Sequence, residues 1–207
     1  MLLTDEAYRA LGLDIEIEFN SRKLLSGLIA CALGPLPQDT VRSVIMLVDK
    51  FAKLSHEELC QEFAKLQIDS ARVEVLMDLL NSTYEELTEK LKAYPENPLV
   101  AEGLADIRQL NAYLEGTSAW QVMKFAPYLA RGIDVYTGMV WEIFLKDHKA
   151  GGQDFSVSIG GGGRYDNIIT SFIDDGKEYP AVGMSFGLDV IYEALQLQNA
   201  GKTAASL

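Results

Sequence analysis

Three stretches of this 207-residue chain combine residue types that can do chemistry. The first, residues 129–142, reads LARGIDVYTGMVWE. Arg131 stands among small residues there, and Asp134, Tyr136 and an apolar run broken only by Glu142 follow it. A guanidinium is permanently charged and presents its N–H donors in a planar fork, so beside an apolar strand it needs an anion or an acceptor. An anionic ligand would satisfy it, and so would an internal pair with Asp134 or Glu142. The second stretch is Gly160-Gly161-Gly162-Gly163-Arg164-Tyr165-Asp166. Consecutive glycines let a backbone pass close to a ligand. No Gly-Lys-Ser/Thr follows, so the run is not a P-loop, and Tyr165 at its sixth position breaks the GxGxxG pattern. A tight turn or bulge between a strand and a helix is the plain alternative. The third stretch, residues 180–189, reads as a strand leading into a helix. Alternation puts Val182, Met184 and Phe186 on one face, and Gly183, Ser185 and Gly187 on the other. That row of small residues offers a flat floor for an aromatic or nucleobase plane. Tight packing beneath another element would use the same row.

The first stretch resembles the histidine-specific signature of histidyl-tRNA synthetases, class II aminoacyl-tRNA synthetases, whose usual form is close to RGLDYYTG-x-VFE. GGGRYD after it is similar to the glycine run that lines their amino-acid pocket. Residues 180–189 resemble motif 3, a strand and helix that help to hold ATP. The resemblance implies that Arg131 is the catalytic arginine, neutralising the substrate carboxylate and the α-phosphate as histidine attacks ATP. A positioned guanidinium stabilises charge that develops as two anions are brought together. It also implies that Tyr136 exchanges a hydrogen bond with the imidazole of histidine, although a strand tyrosine with its ring in the core would read the same way. Val135 stands where a second tyrosine is common. Gly161, Gly162, Tyr165 and Gly183 are expected beside the histidine, and Ser185 and Gly187 beside ATP. Motif 3 usually closes on Glu-Arg, with the arginine on the ATP phosphates. Here Asp189-Val190 follows, and a valine carries no charge for a phosphate.

The elements that must hold these residues alternate in character. Residues 4–13 read as a short helix, and Asp14-Ile15-Glu16-Ile17-Glu18-Phe19 alternates as a strand with one buried face. Asn20-Ser21-Arg22 opens a helix, which Gly34-Pro35-Leu36-Pro37 stops. Residues 38–98 then read as helices only, with Ser55-His56-Glu57-Glu58 and Ser82-Thr83-Tyr84-Glu85 as capping boxes and Asp69-Ser70 starting a helix to Leu80. One more amphipathic helix covers 99–114. Strands are expected at 120–128, 139–145, 155–159 and 182–186, a hairpin-like break at Lys149-Ala150-Gly151-Gly152, and helices at 167–173 and 189–198. The fold class is therefore α+β: a mostly antiparallel sheet flanked by helices, similar to part of a class II synthetase core. Residues 1–37 and 99–198 would form that core, 38–98 an all-helical insertion, and 199–207 a linker-like tail.

The formal net charge of −12 argues against a general nucleic-acid binder, which carries a basic face. Cys31 and Cys60 fall in helical patterns and read as reduced thiols rather than a disulfide or a zinc site. His56 at a cap and His148 in a polar turn receive no role. No signal peptide or membrane span is legible, so a soluble, cytoplasmic protein without a membrane partner is expected. The resemblance implies L-histidine and ATP as ligands, the ATP carrying Mg2+, with no protein-bound metal, and histidine tRNA as partner of the full-length enzyme. Nothing resembles motif 1, the usual dimer element, or motif 2, or an anticodon-binding domain. The chain is thus expected to be inactive alone, and a homodimer is left open. A second reading is a non-catalytic, histidine-sensing paralogue resembling the regulatory subunit of ATP phosphoribosyltransferase, with which Val135 and Val190 are compatible.

Overall fold

In this computed structural model, residues 1–131 and 135–203 are described, with side chains to Asn199. After helix α1 (Leu2–Ala10), the alternating segment forms strand β1 (Ile15–Ser21). Both of its faces are covered: Ile15, Ile17 and Phe19 enter the hydrophobic core, while Glu18 and Asn20, pointing the other way, are buried too. The expected one-sided burial is corrected here, because the polar face of β1 carries a network of its own. Ser21 both ends the strand and caps helix α2 (Arg22–Leu33), its hydroxyl accepting from the Leu24 amide.

Four helices follow: α3 (Gln38–Val48), α4 (His56–Lys65), α5 (Ser70–Leu80) and α6 (Tyr84–Lys90). Ser55 and Glu58 form the expected capping box of α4, and Asp69 caps α5. The α6 box is displaced by one residue, to Thr83 and Glu86, since the Ser82 hydroxyl instead donates back to the Asp78 carbonyl. Helix α5 packs on α2, so Leu76, Leu79 and Leu80 share one apolar cluster with Leu24 and Leu28. Helix α7 (Pro98–Leu114) lies on α2 at very close range: a Cβ on Gly103 would meet the Leu24 backbone, and one on Gly27 the Val100 backbone.

The rest of the chain completes a mixed sheet. Strands β2 (Met123–Phe125), β3 (Met139–Leu145), β6 (Gly160–Arg164) and β7 (Val182–Phe186) join β1 in the order β2-β1-β3-β6-β7. Among the described residues, the β1–β2 pairing is parallel and the other pairings of this sheet are antiparallel. Between β3 and β6, β4 (Lys149–Ala150) and β5 (Gln153–Asp154) make a small hairpin whose turn glycines, Gly151 and Gly152, both have positive φ. Helix α8 (Asp166–Ile173) precedes β7, and α9 (Leu188–Thr203) follows it. The architecture is α+β, as expected.

Three expectations are corrected. The strand expected at 120–128 is only Met123–Phe125, preceded by a single 3-10 turn at Ala119–Val122. Residues 155–159 do not form a strand; the glycines themselves do. A Cβ on Gly160 would collide with the Tyr8 hydroxyl, and one on Gly162 with the Gly183 carbonyl, so β6 sits where only a bare backbone fits between its neighbours. The final helix continues to Thr203, past the expected start of the tail at Asn199, and residues 204–207 lie outside the described part.

Candidate functional site

The register aligns a row of residues across all five strands on the face away from the core: Lys124, Glu18, Glu142, Gly161 and Ser185. The next row on that face is Asn20, Val140, Gly163 and Gly183. The two rows begin charged and polar at β1 and become small toward β7.

Arg131 lies over this face. Its Nη1 donates to Glu142 Oε1 at 3.1 Å, and a Cβ on Gly161 would overlap its guanidinium. Of the two internal partners the sequence offered, Glu142 is therefore engaged; Asp134 lies outside the described residues. The guanidinium carbon also sits 5.7 Å from the centre of the Tyr136 ring, within reach of a cation–π attraction. The Tyr136 ring covers Gly163, and the Tyr165 hydroxyl covers Gly183, 2.6 Å from where a Cβ would be. The two tyrosines meet edge-on, with ring centres 6.5 Å apart. Arg131, Tyr136 and Tyr165 thus lie directly over the bare backbone of Gly161, Gly163 and Gly183.

Several other residues position Arg131, and reasoning from the sequence passed over them. Asn20 Nδ2 donates to the carbonyls of Pro127 and Leu129 at 2.9 and 3.0 Å, and Arg22 donates to the Arg131 carbonyl at 3.0 Å. Both come from the end of β1 and the start of α2, so one short segment fixes the approach to Arg131. Beside it Glu18, buried to 4 % exposure, accepts from Lys124 Nζ and from the Tyr128 hydroxyl at 3.0 and 2.7 Å. Burial, reinforced by Glu18, pushes the Tyr128 hydroxyl well above the usual phenol range. The clue in the sequence was the alternation through Glu16 and Glu18, read there as the unburied face of a strand, and Asn20 and Arg22, read there only as the start of a helix.

Burial also raises the Glu142 carboxyl above its ordinary value. The Arg131 charge opposes this without overcoming it, and Asp49 and Glu18 push the same way as burial. Beyond the glycines, Thr137 and Arg164 both bond Asp166, tying the segment after Tyr136 to the end of β6. Val135 is half-buried in the segment leading to Tyr136. Ser185 lies on the exposed edge strand, its hydroxyl 3.4 Å from the Gly161 carbonyl. The Gly187 amide donates to Ile159, which ends β7 and turns the chain into α9. Val190 packs against the core near Gly187. The structure therefore gathers Arg131, Tyr136, Gly161, Tyr165 and Gly183 into one area, with Ser185 and Gly187 along its β7 margin, whereas Gly162, expected beside them, faces the opposite side of the sheet against the core residue Trp141. Clefts of about 700 Å³ beside Tyr94 and about 400 Å³ beside Asn111 lie elsewhere, lined by residues without a comparable concentration of charge.

A sequence model of the histidyl-tRNA synthetase family matches residues 1–191. The chain belongs to that family. It is 38 % identical over 205 residues to histidine–tRNA ligase 1 of Bacillus cereus, an alignment covering 99 % of this chain and 46 % of the relative. A histidine–tRNA ligase of Danio rerio is 29 % identical, over 88 % of this chain and 39 % of its own length. The histidyl-tRNA synthetase from Nostoc sp. PCC 7120 superposes with a TM-score of 0.80 at 26 % identity, over 96 % of this chain and 46 % of that one. The chain thus spans about half the length of the curated relatives it matches. A Bacillus halodurans protein described as an ATP phosphoribosyltransferase regulatory subunit/histidyl-tRNA synthetase shares the fold, at a TM-score of 0.73 and 20 % identity. The α+β fold is thus that of a class II synthetase, and no described helix is long and apolar enough to cross a membrane.

Proposed function

We propose that residues 1–207 supply the histidine-holding part of a histidine–tRNA ligase catalytic core. The observation that carries this is Arg131, set on Gly161 and steadied by Glu142, with Tyr136 and Tyr165 beside it. In the whole enzyme, the histidine carboxylate attacks the α-phosphorus of ATP, giving histidyl-adenylate and pyrophosphate. The tRNA 3′ hydroxyl then displaces AMP from the adenylate. ATP enters as its magnesium complex, so the ion arrives with the substrate.

The bond to Glu142 engages one N–H of the Arg131 fork, and the remaining donors can face a carboxylate and a phosphate oxygen together. Because Asn20 and Arg22 hold its backbone, little reorganisation is needed when charge develops. Tyr136 and Tyr165 present the aromatic edges and hydroxyls that would frame an imidazole, with Val135, Gly161 and Gly183 shaping the space. Ser185 and Gly187 would border the ATP on the β7 side. Val190 supplies no phosphate contact and nothing in residues 1–207 resembles motif 2, which would hold the rest of the ATP, so these residues alone are expected to give no ATP–pyrophosphate exchange.

The test is a calorimetric titration of the chain with L-histidine, with Arg131→Ala as the control. Saturable binding that the variant loses supports the reading. No binding, or binding undiminished in Arg131→Ala, would overturn the claim that these residues hold histidine through Arg131. A second reading, a histidine-sensing paralogue without ligase activity, draws on Val190, which packs inward where a phosphate-binding arginine would be expected. Co-purification with a short catalytic ATP phosphoribosyltransferase would favour that reading. Charging of histidine tRNA once the remaining synthetase segments are supplied would favour the ligase. Cytoplasmic localisation and a homodimer accord with either.

A further inference from the structure

Away from the sheet, the helical segment brings together a histidine, a cysteine and a glutamate that the sequence left unconnected. His56 begins α4, Cys60 stands one turn later on the same face, and Glu74 faces both from α5. Burial of Leu59 and Phe63 from α4 and of Val73, Leu76 and Met77 from α5 holds the two helices together. The three side chains therefore meet on packed helices, not on a loop. His56 Nε2 lies 2.9 Å from Glu74 Oε1, Cys60 Sγ lies 3.7 Å from His56 Nε2, and Cys60 Sγ lies 3.7 Å from Glu74 Oε1.

Each side chain uses the same single atom in both of its contacts, so Nε2, Sγ and Oε1 form a closed triangle. A catalytic Cys–His–Glu relay has a different geometry: the imidazole would face the thiol with one nitrogen and the carboxylate with the other. Here one nitrogen faces both. Tetrahedral Zn2+, with bonds of about 2.3 Å to sulfur and about 2.0–2.1 Å to nitrogen and oxygen, sets its ligand atoms about 3.4–3.6 Å apart. The triangle thus closes to within a few tenths of an ångström of that spacing, apart from the tighter His56–Glu74 edge. Thiolate, imidazole and carboxylate together suit a borderline-soft divalent ion better than Mg2+ or Ca2+.

We infer that His56, Cys60 and Glu74 form a Zn2+ site that staples α4 to α5, with water as the fourth ligand. Binding replaces the thiol proton, which leaves to solvent, and takes the neutral imidazole through Nε2. The side chains of His56 and Glu74 are 64 % and 54 % exposed, so the ion would enter from solvent and the fourth position would stay open. This departs from the expectation of no protein-bound metal. The sequence concealed the site because His56 and Cys60 are four residues apart, a helix spacing rather than a finger motif, and Glu74 comes from the next helix.

Titration of the reduced chain with Co2+ alone, read by absorbance, tests the inference, followed by displacement with Zn2+. The expected result is a thiolate-to-cobalt charge-transfer band saturating at one equivalent and erased by Zn2+. It should be abolished in Cys60→Ser and retained in Cys31→Ser, which removes the other thiol. His56→Ala and Glu74→Gln should each weaken binding tenfold or more, and circular dichroism should confirm that these surface variants fold. No band, a band that survives Cys60→Ser, or a Cys60 band indifferent to both other variants would overturn the three-ligand site.

Discussion

Replacing Gly161 with alanine tests how the strand and the arginine depend on each other. The added Cβ would overlap the Arg131 guanidinium and stand 2.7 Å from the Trp141 carbonyl oxygen. The carbonyl belongs to the adjacent strand and cannot turn away. Arg131 can swing aside, but Glu142 then loses its donor while remaining largely buried. Overpacking of this kind costs about 1–3 kcal/mol. For a chain of this size each kcal/mol lowers Tm by about 2–4 °C, so Tm should fall by roughly 2–12 °C. Histidine affinity should drop at least tenfold, about 1.4 kcal/mol. Thermal denaturation of four proteins, wild type, Gly161→Ala, Arg131→Ala and the double variant, isolates the pairwise part. With Arg131 already truncated, only the carbonyl clash remains, so the glycine substitution should cost less by about 0.5–3 kcal/mol. An equal Tm loss in both backgrounds, with histidine binding unchanged by Gly161→Ala, would refute the idea that the glycine exists to seat the arginine.

Three further outcomes follow from the packing and the titrating groups. Because the folded-state Glu142 carboxyl is raised above its ordinary 4.5, it favours the fold when protonated and loses that contribution as pH rises through its folded value; Glu142→Gln should therefore gain stability relative to wild type at pH 7, a gain that shrinks on acidification and is checked by urea melts across pH. Tyr8 is fully buried and donates to the Ile159 carbonyl at 2.6 Å, and burial raises its hydroxyl to about 12, so its contribution is present below 10 and lost between 10 and about 12. Tyr8→Phe should cost about 1 kcal/mol at pH 8, because Ile159 keeps its bond from the Gly187 amide, and should flatten the alkaline loss seen in wild type above pH 10. Gly103→Ala forces α7 off the α2 backbone at Leu24, where no side-chain end can yield, so its cost should reach the top of the about 1–3 kcal/mol range in chemical denaturation.

Local patterning alone determined much of this protein. The period of the apolar residues placed α2 through α7 within a few residues, and Ser55, Asp69 and Asn97 cap their helices because capping depends only on the neighbouring amides. The strands at Met139–Leu145 and Val182–Phe186 and the family signature around Arg131 were legible for the same reason: side-chain chemistry and spacing within one segment carry them. What lay between segments was not legible. Four glycines have no side chains to form a pattern, so their place in the middle of the sheet appears only when Tyr8, Trp141 and Arg131 are seen pressing against them. Glu18 reads as the unburied face of a strand and Asn20 as a helix start, until residues more than 100 positions later close over both. Whether Arg131 met a ligand or an internal carboxylate depended on the strand register that put Glu142 opposite Gly161. The His56, Cys60 and Glu74 triangle likewise needs two helices packed face to face. Hydrogen bonds within a few residues can be read from order in the chain, but contacts among side chains far apart in sequence are set by how strands and helices pack.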